Sequence, residues 1–190
     1  ARDLSAALDL PFKERKIYEE EDGLLGIGRL VSIHADEKIN AKFAYRAFEI
    51  KEKLNLELSR SLRLAYAELL SSNFVSNLLS YATHSTGVLL RAYDFEKICK
   101  NSEKIALKIS EEKYGNYGVY CENNLLSLAG ISQVLDFRAN NDTKTVLLEA
   151  NYTSPNTVAM AVGEDKSLKG DEHLYLASRG SEPNLRDRKS

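Results

Sequence analysis

The residues best equipped for chemistry lie in the C-terminal half, where Asp136, Asp142, Glu149 and Asn151 combine three carboxylates with an amide. Carboxylates on neighbouring strands can hold a divalent cation, and such a cation can activate water against a phosphodiester. Glu149 and Asn151 stand two apart, so on a strand both point to one face. At position 151, however, an amide stands where a metal-dependent nuclease would want a basic group to orient the attacking water. A divalent-metal-dependent nuclease is therefore the alternative reading, against an ordinary acidic strand surface.

His84, Ser85 and Thr86 form a second group, just ahead of Gly87. A hydroxyl adjacent in sequence to an imidazole is not a nucleophile and base, because activation needs a directed hydrogen bond and a third orienting group. Those residue types suit the end of a helix. His34 and His173 have no metal-ligand spacing, and Cys99 and Cys121 are too few for a disulfide framework or a closed zinc site. The chain thus predicts no cofactor and no metal.

A third constellation is basic. Lys97, Lys100, Lys104 and Lys108 are spaced 3, 4 and 4, which on a helix lines four ammonium groups along one face. With Arg186 and Arg188 in the tail they are the candidate nucleic-acid contacts. The bulk composition sets no such bias: 26 Lys and Arg stand against 28 Asp and Glu, a net charge of −2. At 43% hydrophobic and 28% charged residues, the 190-residue chain has the composition of a soluble globular protein. No apolar run approaches the roughly 20 residues a membrane helix needs, so no membrane partner is expected and the cytoplasm is the predicted compartment.

Glycine and proline divide the elements that must position these groups. Neither occurs between Gly28 and Gly87, and six of the ten glycines follow Tyr114. The expected fold class is α+β: an N-terminal helical layer, over about 36–113, packed against a C-terminal antiparallel β-meander over about 117–178. Residues 1–22 are expected as an N-terminal arm, 23–178 as a single domain, and 179–190 as a flexible basic tail.

Within the helical part, Asp36 is expected to cap a helix carrying Ile39, Phe43, Ala47, Ile50 and Leu54 on one stripe. Leu56 to Tyr81 should form a helix greasy on most sides, and Asp94 should start a third with Phe95, Ile98, Ile105 and Ile109 on one face. Later in the chain, 125–133 is expected as a short helix. Strands are expected at 24–33, 134–138, 143–152, 158–162 and 174–177, with Val146, Leu148, Ala150 and Tyr152 inward in the third.

The segment 56–81 carries more apolar surface than one neighbour covers. Leu64, Leu70, Phe74 and Leu78 are its candidate partner-binding residues. The function expected is thus a non-catalytic interaction or assembly subunit of a larger protein or nucleoprotein complex. Its partners would be other protein subunits or a second copy, with nucleic acid on the lysine face.

Overall fold

The computed structural model describes residues 2–12, 27–36, 38–39, 41–51, 55–86, 88–100 and 102–165. The charged part of the expected arm, the strand expected at 174–177 and the basic tail with Arg186 and Arg188 lie outside them. In chain order the elements are α1 (Arg2–Ala7), β1 (Val31–Ala35), β2 (Lys42–Glu49), α2 (Leu58–Tyr66), α3 (Phe74–Thr86), β3 (Leu89–Asp94) and α4 (Phe95–Cys99). They continue with β4 (Ile105–Glu111), β5 (Tyr117–Cys121), β6 (Asn124–Leu128), β7 (Ser132–Gln133), β8 (Thr145–Tyr152) and α5 (Pro155–Glu164).

The strands form two sheets. One has five strands in the order β1-β4-β5-β6-β7, with β1 parallel to β4 and the other pairs antiparallel. The other is antiparallel with the order β2-β8-β3. Their inner faces share one core: Val31, Ile105, Leu107, Ile109, Val119 and Leu126 from the first sheet meet Tyr93 and Leu147 from the second. Helix α3 covers part of the outer face of the three-stranded sheet, where Val75 and Leu79 pack with Ala92 and Val146. Helix α5 closes a smaller cluster with Val158 and Ala161 against Ile131.

The α+β class holds, but the meander lies elsewhere than expected: it runs from β4 to β7, over 105–133, whereas of the strands expected at 134–138, 143–152, 158–162 and 174–177 the described residues keep β8, which pairs in the other sheet. The helical layer is smaller than expected, for a reason common to two of the differences. Phe43 and Ala47 are four apart, which places them together on a helix and equally on a strand. Tyr45 between them is also turned inward, so Lys42–Glu49 is a strand and not the expected helix. The same ambiguity holds for Ile105 and Ile109. With Leu107 buried between them and Ala106 and Lys108 exposed, β4 replaces the second half of the expected third helix. Its first half is α4, where Asp94 caps as expected by accepting from Lys97 N at 3.2 Å, and Lys100 ends the helix at φ 42°.

Leu56 to Tyr81 is two helices, because Ser71, Ser72 and Asn73 break the run. Asn73 Oδ1 accepts from Ser76 N, Asn77 Oδ1 from Ser71 N, and Asn141 Oδ1 from Phe74 N at 2.8 Å. The bonds to Ser76 N and Phe74 N satisfy amides at the start of α3, and the bond to Ser71 N fastens the turn before it. Residues 125–133 form a hairpin with no helix, and Leu135–Phe137 is a single 3-10 turn where a strand was expected. The strand expected at 158–162 is α5: Ser154 and Pro155 are a helix start, and Val158 and Ala161 are buried while Met160 is 61% exposed.

Candidate functional site

Polar side chains concentrate between the two sheets, at the centre of the three-stranded one. Register places Tyr45 of β2 opposite Glu149 of β8, and Glu149 opposite Arg91 of β3, so one row of three runs across the sheet. The rows on either side are Ala47, Leu147 and Tyr93, and Phe43, Asn151 and Leu89. All of these side chains face the five-stranded sheet, since alternate residues of a strand share a face. Glu149 is fully buried, Arg91 and Asn151 are each 1% exposed, and Tyr93 is 0% exposed.

Glu149 is held from several sides. Its Oε2 accepts from Tyr45 Oη and Tyr93 Oη, each at 2.9 Å, and its Oε1 accepts from Asn151 Nδ2 at 2.7 Å. Tyr93 Oη also shares a hydrogen bond of 2.8 Å with Ser127 Oγ, tying β3 to β6 across the interior. The guanidinium of Arg91 lies beside the carboxylate, Nη1 to Oε1 3.9 Å, and Nη2 donates to the Leu128 carbonyl at 2.9 Å. Burial, then the neighbouring Glu149 charge, raises both tyrosine hydroxyls well above their ordinary value. Both therefore remain protonated donors to the carboxylate.

The cluster leaves polar atoms over. Arg91 Nε and Nη1, Asn151 Oδ1 and Thr153 Oγ1 are buried without a hydrogen-bond partner among the described residues. Such atoms in an interior call for a physical account, because each costs about 1–3 kcal/mol if left dry and unpaired.

Of the four residues singled out for metal chemistry, Glu149 and Asn151 do come together on one strand face. Asp136 and Asp142 do not join them: both are exposed, one in the 3-10 turn and the other in the turn before β8. Among the described residues no three of His, Cys, Asp and Glu converge to hold a metal ion. The inward face of β8 is also the opposite of the one expected, carrying Leu147, Glu149 and Asn151. The strand is central and covered on both sides, so its apolar alternation does not mark the face toward the second sheet.

Arg91, Tyr45 and Tyr93 went unrecognised in the sequence. A signal existed: a lone Arg in the apolar run 88–93 and a lone Glu in the apolar run 146–150 are buried-type charges of opposite sign, each of which needs a partner in the interior.

The other candidates scatter. Lys97, Lys100, Lys104 and Lys108 are all exposed but sit on α4, the turn after it and β4, not on one helix. Leu64 is 1% exposed and enclosed by its own chain, which removes it from any partner surface, while Leu70 is 48% exposed and Phe74 and Leu78 are half-buried. His84 to Thr86 end α3 as expected. Burial raises the thiol of Cys121, which lies in the core. No described helix is long and apolar enough to cross a membrane.

No protein-family model matches the chain. Curated proteins do. The chain is similar to phenylalanine–tRNA ligase beta subunits. It is 42% identical to the one from Campylobacter jejuni subsp. jejuni over 185 residues, which is 97% of this chain and 24% of that protein. Against the beta subunit of Sulfurimonas denitrificans it is 38% identical over 186 residues, again 97% and 24%. The Helicobacter hepaticus protein of the same name is 32% identical over 193 residues, 97% of this chain and 23% of that one. The chain spans about a quarter of the length of these curated relatives.

Proposed function

We propose that this chain is a segment of a phenylalanine–tRNA ligase beta subunit, working in the cytoplasm as one piece of a multi-subunit assembly that attaches phenylalanine to tRNA. The observation that carries the reading is the 42% identity over 97% of the chain. Within the ligase the segment's part is interaction and assembly: it offers other protein its helical face and offers tRNA its exposed lysines 97, 100, 104 and 108. The test is to purify the full-length gene product that contains this sequence. It should join a second ligase subunit and, so joined, charge tRNA with phenylalanine. A product that does neither overturns the reading.

A further inference from the structure

Away from the polar cluster, the five-stranded sheet turns a row of side chains outward. Ile105, Leu107 and Ile109 of β4 point into the core, so Ala106 and Lys108 between them point the other way and are exposed. Register sets His34 of β1 beside Lys108, and Lys108 opposite Tyr120 of β5, which makes a row of three across three strands. His34 and Lys108 are exposed and Tyr120 is half-buried. The ring of Tyr120 lies against the sheet: a Cβ added at Gly118 would stand 2.6 Å from its Cε2, so only a glycine there lets the ring come down onto the backbone. Its hydroxyl donates to Glu112 Oε1 at 2.5 Å, a bond that holds the ring in place. A fixed aromatic ring on an open sheet face, directly opposite an ammonium group, combines the two elements that take up single-stranded nucleic acid: a surface for stacking a base and a cation for its phosphate.

We infer that this row receives an unpaired nucleotide of tRNA, its base on the ring of Tyr120 and its phosphate at Lys108 and His34. The inference rests on the reading of the chain as a beta-subunit segment, and it narrows that reading from four scattered lysines to one sheet face. Within a duplex the bases stack on one another and their faces are out of reach, so a ring on a sheet can take up only a nucleotide from a loop, a bulge or an end. Lys108 attracts the phosphate by charge, and the imidazole N–H of His34 adds a hydrogen-bond donor. Glu112 meets the row through the tyrosine hydroxyl, which leaves the ring face for the base. Lys104, just ahead of β4, is exposed as well and extends the basic surface past the row.

The test uses the full-length subunit in its assembled ligase, with tRNA binding measured across a series of salt concentrations. Tyr120→Leu removes the ring and should weaken binding about 5-fold or more, with the slope of log affinity against log salt unchanged, because stacking releases no counterion. Tyr120→Phe keeps the ring and should bind within about twofold of the natural protein. Lys108→Ala should reduce the slope by about 1. The photo-crosslinking residue benzoylphenylalanine, replacing the exposed Lys108, locates the contact independently of the tyrosine variants: irradiation should join it to an unpaired nucleotide. Natural affinity in Tyr120→Leu overturns the inference, and so does an equal loss in Tyr120→Phe, which would assign the effect to the hydroxyl and not to the ring. Crosslinks only to paired nucleotides, or only to protein, overturn it too. If Tyr120→Leu fails to assemble, the crosslink from position 108 decides alone. Any of these failures in a ligase that assembles and charges tRNA leaves the beta-subunit reading standing. A natural full-length product that does neither overturns both.

Discussion

Replacing Glu149 by Gln keeps the side chain's shape and removes its charge. The amide oxygen can still accept from Tyr45 and Tyr93, and Asn151 can turn to accept from the new amide nitrogen. What cannot be replaced is the compensation of Arg91, 1% exposed and 3.9 Å from the carboxylate. At that distance two unit charges attract by about 4 kcal/mol for an effective dielectric constant of about 20. Leaving one member of a buried pair alone costs about 3–5 kcal/mol in general, in agreement.

A chain of this size loses about 2–4 °C of melting temperature per kcal/mol. Glu149→Gln should therefore melt roughly 6–20 °C below the natural protein, and guanidinium denaturation should report a drop of about 3–5 kcal/mol. Arg91→Met combined with Glu149→Gln removes both charges together. It loses only the bond from Nη2 to the Leu128 carbonyl, a cost of about 1–3 kcal/mol. The double variant should thus be more stable than Glu149→Gln alone. A loss below about 1 kcal/mol for Glu149→Gln would refute the reasoning, as would a double variant whose loss equals the sum of the single ones.

Three further outcomes are expected. Tyr45 and Tyr93 titrate well above their ordinary value in the fold, whereas the unfolded chain releases those protons near pH 10. Their contribution to stability is whole below that pH. It falls above it by about 2.7 kcal/mol per pH unit for the two together, which denaturation series from pH 9 to 11 would read and Tyr45→Phe with Tyr93→Phe would flatten. Asn141→Ala removes the acceptor for the first amide of α3 and the bond to the Ser72 carbonyl, and should cost about 1 kcal/mol in the same denaturation assay, with the core cluster intact. Replacing Lys97, Lys100, Lys104 and Lys108 by Ala in the full-length subunit should weaken tRNA binding and reduce the slope of log affinity against log salt by up to about 3; an unchanged slope means that these lysines touch no phosphate.

The sequence by itself determined that helices and strands share the chain, because caps, turns and alternating apolar runs are local properties, although the glycine- and proline-free stretch expected as helix also carries β1 and β2. It also placed the Asp94 cap, the end of α3 and the shared face of Glu149 and Asn151, each resting on neighbours within a few residues. It did not decide between helix and strand at 42–49 and 105–111, since residues four apart share a face in both periods and burial behind a second sheet breaks the tie. Nor did it reveal the row of Tyr45, Glu149 and Arg91, whose members lie 58 and 104 positions apart and meet only through strand register. Only the tertiary structure decided that Leu64 is enclosed while Leu58, Leu62 and Tyr66 are not. One helix surface can be turned either way, and what lies against it is set by the rest of the chain.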